Sequence, residues 1–235
     1  MPLAIAHRGD SIHFPENTLL AFQAAWDLGV DAIELDVQMS ADGTLVVFHD
    51  RNLKRMTGNT RSIDQVNWTD LCDLDVGSWF SDLFRSARIP RLIQVLESSP
   101  CTLLLEIKPR AHASHNMQLA IKLADLLMTN ARWSEFPILC YDDHLLRAIH
   151  ANHPQLKMVL NRDRGALIRD DQHLHGYSFW IGALTENCAN RVKARNKQLY
   201  TFTCNSDDEL HLARTCGAHG IMSDDPGWLQ AELVS

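Results

Sequence analysis

The chain has 235 residues, 46% hydrophobic and 22% charged, with a net charge of -7 at pH 7. That length suits one domain of ordinary core size or one α/β barrel, and the composition is that of a globular protein, not a disordered or fibrous one. The acidic balance, with no run of Lys or Arg, argues against a nucleic-acid footprint; an anionic ligand would have to be attracted locally, by a metal and a few cations.

Residues 3–7 read as a strand. The N-terminus lacks a basic leader, and this apolar run is too short for a signal peptide or a membrane span; stable membrane insertion is not expected, and a cytoplasmic location is. A helix follows from Asn17 to Leu28, closed by Gly29. Strands at 32–38 and 44–49 are joined by Asp42-Gly43, a hairpin signal. Residues 51–89 break the rhythm, with no long apolar strand but with Trp68, Trp79, Phe80 and Phe84. So long a connection carries function or its own small structure, and it is expected to pack beside or over the mouth of the fold.

Apolar runs then recur at 102–107, 137–141, 156–160, 176–181, 199–203 and 219–222. Helical patterns at 116–129, 143–151, 186–197 and 206–216 separate most of them. The alternation predicts a parallel sheet covered by helices. An open doubly wound sheet is compatible with it, but no nucleotide-binding glycine motif supports that version. A TIM-type (β/α)8 barrel is preferred, because the reactive residues lie at strand ends, where such barrels place their active sites. Nine candidate strands are one too many, so one is an extra or edge piece. No linker divides residues 1–235.

Six cysteines (Cys72, Cys101, Cys140, Cys188, Cys204, Cys216) are scattered without a CxxC pair, as expected for reduced, mostly buried thiols. His7-Arg8-Gly9 closes the first strand with an imidazole for proton transfer and a guanidinium able to clasp phosphate. Glu34 and Asp36 alternate with apolar residues and so share one strand face. Two carboxylates there repel unless a proton or cation sits between them. His49-Asp50 ends the third strand, Asp50 being free to orient the imidazole or to cap the next segment. Glu106 and Lys108 repeat the same-face pattern; by themselves they fit an in-strand salt bridge as well. Jointly, four strand ends supply groups suited to one reaction, metal-assisted hydrolysis of an anionic substrate, and oxygen ligands favour Mg²⁺ or Ca²⁺ over zinc. His112 and His115 come after the Glu106 strand and could reach the mouth, and Trp180 ends a strand where it could line the pocket with apolar surface.

With those residues goes a wider pattern: Pro15-Glu16-Asn17-Thr18, the run from Gly29 to Val37, Asp42-Gly43, Val46 to Asp50, Leu53, Arg55, Thr57-Gly58, Leu74 to Phe80, Ile89-Pro90, Leu105 to Lys108, Thr203-Cys204-Asn205, and Gly217 to Pro226. Together these resemble the glycerophosphodiester phosphodiesterase family over nearly the whole length. The resemblance implies a TIM-type barrel with a small insertion after the third strand, residues 51–89. It implies that Glu34, Asp36 and Glu106 hold a divalent cation and that His7 and His49 are the acid/base pair. Arg8 matches the family's phosphate-binding arginine and Lys108 its active-site lysine. The implied reaction cleaves a small-molecule glycerophosphodiester to glycerol 3-phosphate and an alcohol. The nucleophile, whether water or the adjacent glycerol hydroxyl through a cyclic phosphate, stays open. So do the assignment of base and acid, the metal and the oligomeric state. Departures at Arg91, Ile93, Gln94, Cys140-Tyr141, Phe202 and Cys204 leave the alcohol preference open. Two other readings are a lysophospholipase D-like or sphingomyelinase D-like enzyme using the same site on lipids, and a barrel that binds phosphodiesters without turnover.

Overall fold

Short apolar runs alternating with amphipathic segments can bury both faces of a parallel sheet only if helices cover the outside. The structure, a computed structural model describing residues 1–110, 112–164 and 166–234, shows that solution. Eight parallel strands, β1 (Leu3–His7), β2 (Ala32–Met39), β4 (Thr102–Ile107), β5 (Ile138–Cys140), β6 (Met158–Arg162), β7 (Gly176–Trp180), β8 (Gln198–Phe202) and β9 (Gly220–Ser223), pair in sequence. The sheet closes where β1 pairs with β2 on one side and β9 on the other, so the open-sheet alternative is set aside.

The ninth run is β3 (Leu45–Val47), antiparallel to the far end of β2 through Val37, Gln38 and Met39. It lies outside the cylinder. Gly43, at φ +81°, makes the tight turn between them. All eight residues of β2 are buried, because its first half lies in the barrel wall and its second half is covered by this hairpin.

Helices α1 (Leu19–Leu28), α5 (Ala113–Met128), α6 (Asp143–Asn152), α7 (Glu186–Lys193) and α8 (Asp207–Thr215) fall on the patterned segments. Thr18 accepts a hydrogen bond from the Ala21 N–H at the start of α1, and Gly29 ends it at φ +74°. Two further helices lie outside the patterned segments, α4 (Leu92–Ser98) and the last, α9 (Pro226–Val234).

Segment 51–89 carries the short helices α2 (Lys54–Thr57) and α3 (Trp68–Leu71) and two 3₁₀ turns. Leu53, Met56, Ile63, Val66, Leu71, Val76 and Ile89 pack with Val46 and Phe48 of the hairpin into a small separate core. Phe84 lies against Phe14 of the loop after β1, ring centres 5.6 Å apart, so the segment sits beside the barrel mouth. Inside the cylinder, seven strands each give one residue to an apolar layer: Ile5, Ala32, Leu104, Leu139, Val159, Tyr200 and Met222. The polar residues of the mouth stand above it. No disulfide joins any of the six cysteines, and among the described residues no helix is long and apolar enough to cross a membrane.

Candidate active site

Side chains on a strand alternate, so the face that puts Ile5, Ala32 and Leu104 inside the barrel also points His7, Glu34, Asp36 and Glu106 inward one or two steps later. In register, His7 pairs with Glu34 and Asp36 with Glu106. Glu34, Asp36 and Glu106 are buried, and each offers a carboxylate oxygen within 4.8 Å of the other two. Lys108 stands over them, its Nζ 2.9 Å from Asp36 Oδ1 and 2.5 Å from Glu106 Oε1. Arg8 Nε lies 3.3 Å from Asp36 Oδ2, while its Nη1 donates to Glu16 Oε1 at 2.8 Å.

The chain bends sharply to achieve this. Arg8 and Gly9 both take left-handed backbone, at φ +60° and +87°. A Cβ on Gly9 would fall 2.7 Å from the Ala21 backbone, so the close approach of loop and helix requires glycine. Asn17 is left-handed too, at φ +57°. Its amide donates to Asp36 Oδ2 at 2.6 Å and its carbonyl accepts from the Asp36 N–H at 3.3 Å.

Both histidines are held by a carboxylate at Nδ1. His7 Nδ1 donates to Asp224 Oδ1 at 2.6 Å, leaving Nε2 turned toward Glu34, 3.9 Å from Oε2. His49 Nδ1 donates to Asp50 Oδ1 at 2.9 Å, so Asp50 is the orienting partner and not simply a cap. Asp224 is fixed in turn by Asn205 Nδ2 at 2.7 Å and by the Ser11 hydroxyl at 3.2 Å. Below His49, Gln38 donates to the Phe48 and Asp50 carbonyls, and Arg110 donates to Gln38 Oε1 and the Asp50 carbonyl.

Burial, then the neighbouring Asp36 and Glu106, push the Glu34 carboxyl well above the usual carboxylate range. Burial also lifts Glu106. Asp36 is equally buried, but the Lys108 and Arg8 charges outweigh that and hold it far below its ordinary value. Burial works against charge on Arg8 and Lys108 as well; Asp36, with Glu16 for Arg8 and Glu106 for Lys108, more than compensates, so both remain cations. Burial, supported by Arg8 and Lys108, keeps the His49 imidazole below its usual value.

The donor set fits a cation. Neither oxygen of the buried Glu34 carboxylate has a hydrogen-bond partner among the described residues. Buried, unpartnered carboxylate oxygens are costly, and three converging carboxylates suit a hard divalent cation. A second group, Glu16, His49 and Asp50, also converges, but a guanidinium, that of Arg55, already fills it.

Residues 7–228 match the sequence model of the glycerophosphoryl diester phosphodiesterase family. The chain belongs to the glycerophosphoryl diester phosphodiesterase family. It is accordingly an enzyme of the phosphoric diester hydrolase class. A glycerophosphodiester phosphodiesterase of Caldanaerobacter subterraneus is 32% identical over 233 residues, covering 95% of this chain and 94% of its own. A lysophospholipase D of Rattus norvegicus is 28% identical, covering 97% and 85%. A solved phosphodiesterase of Oleispira antarctica, in complex with the product sn-glycerol-3-phosphate, superposes with a TM-score of 0.90 at 25% identity, over 100% of this chain and 98% of that one.

Within this phosphodiesterase fold, seven of the expected residues come together: His7, Arg8, Glu34, Asp36, His49, Glu106 and Lys108. Trp180 does not join the charged group. It stands half exposed at the C-terminal end of β7, folded over Gly182, where a Cβ would fall 2.5 Å from its ring. The ends of β5 and β8 add Tyr141 and Phe202, ring centres 6.5 Å apart, to an aromatic side of the mouth. His115 is turned away, lining a groove with Met39, Asp42 and Lys122 beside the hairpin turn. His112 flanks the start of α5, exposed. Asp224, Asn205, Asn17 and Glu16 join the site; they lie in the quoted sequence pattern, but sequence reasoning assigned them no role. Asp224 stands just past a strand, the signal that marked His7 and His49, but Asp-Asp-Pro also reads as an ordinary helix start.

Proposed function

We propose that the chain hydrolyses small-molecule glycerophosphodiesters to glycerol 3-phosphate and an alcohol, with Glu34, Asp36 and Glu106 holding a divalent cation, Mg²⁺ or Ca²⁺. The observation that carries the metal is the pair of buried, unpartnered Glu34 oxygens beside two further carboxylates. Bound there, such a cation supplies charge neutralisation and orientation for a phosphate.

The protein's own groups divide the remaining work. The carboxylates at Nδ1 of His7 and His49 fix both rings with Nε2 as the working nitrogen. One Nε2 accepts the proton of the nucleophile as its oxygen bonds to phosphorus. The other gives a proton to the departing alcohol oxygen as the old P–O bond breaks. Arg8 and Lys108, kept cationic by their acidic neighbours, face the negative charge that builds on the phosphate oxygens. Trp180, with Tyr141 and Phe202, offers aromatic faces to the alcohol portion.

The test is release of glycerol 3-phosphate from glycerophosphocholine and glycerophosphoethanolamine with Mg²⁺, with Ca²⁺ and with EDTA. Metal-dependent release that nearly vanishes in His7→Ala and His49→Ala supports the reading; wild-type rates in either variant overturn it. A second reading, action on lysolipids through the same site, draws on an apolar rim. Leu83 is 87% and Trp79 37% exposed, beside Phe80 and Phe84. Turnover of lysophosphatidylcholine but not of glycerophosphocholine selects it.

A further inference from the structure

Arg55 lies in the inserted segment, outside the barrel and outside every role assigned above. Its guanidinium nonetheless makes four hydrogen bonds to two carboxylates that stand behind the reacting groups. Nε and Nη2 donate to Asp50 Oδ2 and Oδ1 at 2.7 and 3.0 Å. Nη1 and Nη2 donate to Glu16 Oε2 and Oε1 at 3.0 and 2.8 Å. Asp50 is the acceptor for His49 Nδ1, and Glu16 is the acceptor for Arg8 Nη1. One guanidinium therefore bridges the support of the imidazole to the support of the arginine.

Its own placement is built with equal care. The guanidinium carbon sits 4.7 Å from the centre of the Trp79 ring. Trp79 Nε1 donates to the Val76 carbonyl at 2.8 Å, which fixes the ring. The turn beneath is tied by Asp75, which accepts from the Gly77 and Ser78 N–H groups at 2.9 Å each. Gly77 is obligatory there, since a Cβ would collide with the Phe84 carbonyl. The turn from Asp75 to Trp79 thus reaches the charged centre through Arg55.

We infer that Arg55 is a positioning residue for both halves of the reaction, orienting His49 through Asp50 and Arg8 through Glu16. The inference rests on the roles given to His49 and Arg8 under the proposed function. A lysine cannot replace it, because a single ammonium has no planar fork with which to meet two carboxylates side by side. An isolated surface ion pair contributes little; a doubly bidentate guanidinium stacked on an indole is a different object.

The experiment is steady-state kinetics of Arg55→Lys, Asp50→Asn and Glu16→Gln with glycerophosphocholine. Arg85→Lys is the control, an exposed arginine of the same segment paired with Asp82. Arg55→Lys is expected to lower kcat about 10- to 100-fold and to raise KM several-fold, the usual scale for a residue supporting a reacting one. Asp50→Asn should reproduce the kcat part and Glu16→Gln the KM part, and adding Asp50→Asn to Arg55→Lys should cost no further kcat. Arg55→Lys with kcat and KM both within about twofold of the control overturns the inference, as does full additivity with Asp50→Asn. The His49 ring, followed by NMR, gives a readout independent of turnover. A hydrogen-bonded Nδ1 proton present in the wild type and lost in Arg55→Lys supports the inference, and an unchanged proton overturns it. If the wild type hydrolyses no glycerophosphodiester, the proposed function fails by that assay, and the NMR arm alone decides whether Arg55 orients the ring.

Discussion

His7 Nδ1 and Asp224 Oδ1 lie 2.6 Å apart although 217 positions separate them in the chain. The pair spans the seam where the first and last barrel strands meet, so closing the cylinder also completes the imidazole's support. Replacing Asp224 by Asn keeps the shape and removes the obligate acceptor. The expected result is a loss of kcat of about 10- to 100-fold with a smaller change in KM, measured on glycerophosphocholine.

Asp224 also makes an acid-stability prediction. Burial raises its carboxyl, but hydrogen bonds from His7, Asn205 and Ser11 outweigh that and hold it at about 2. An unfolded aspartate titrates at about 3.9. A depressed folded value means the contribution is fully present above the unfolded value and is lost as pH falls toward 2. Urea unfolding of wild type and Asp224→Asn should therefore show a stability gap that narrows between about pH 4 and 2. A gap independent of pH would contradict it.

Glu34 bears the cost of three acids sharing one cavity. Its buried carboxylate has no hydrogen-bond partner among the described residues, so Glu34→Gln should fold at least as well as wild type in EDTA. With Mg²⁺ or Ca²⁺ at about a hundred times the dissociation constant, the wild type gains about 2.7 kcal/mol, seen as a higher melting temperature. That gain should be absent in Glu34→Gln. Equal shifts in both proteins would place the cation elsewhere.

Gly9→Ala tests the bend beneath His7 and Arg8. The new methyl group meets the Ala21 backbone at 2.7 Å on a residue already at φ +87°. A cost of about 1–3 kcal/mol is expected from the strained backbone alone, with activity falling further because the bend positions His7 and Arg8. Urea midpoints and kcat/KM report the two effects separately.

Trp180 is half exposed and packs over a glycine, so Trp180→Ala should leave the melting temperature close to wild type. A lost aromatic contact of about 1 kcal/mol should raise KM for a choline ester roughly fivefold. An unchanged KM would remove Trp180 from the substrate side of the mouth.

Much of this is legible in the sequence because strand ends announce themselves. Period-two alternation around Glu34 and Asp36 marks both the strand and the shared face, and Gly29 marks the end of α1; its start, read at Asn17, lies at Leu19 behind the Thr18 cap. The surplus strand is β3, whose hairpin turn Asp42-Gly43 signals. Harder to see are α4, where Arg91 and Pro90 precede a short apolar stretch, and α9, whose apolar residues show little one-sidedness. The Asp224, Asn205 and Glu16 contacts are long-range and leave no periodic trace. His115 illustrates the converse: proximity to the Glu106 strand in sequence does not place it at the mouth, because the helix it sits on turns it toward the β2–β3 turn.

The hairpin that lies outside the cylinder has a further consequence. His7, Glu34, Asp36 and Glu106 ride on barrel strands, whereas His49 lies just past β3 and rests on the separate core of Val46, Phe48, Leu53 and Ile63. The two apolar bodies need not open together. Amide exchange in segment 45–89 is expected to proceed through a partial opening that leaves the barrel closed, so gentle heating or low denaturant would silence the enzyme while most of its helix and strand content persists.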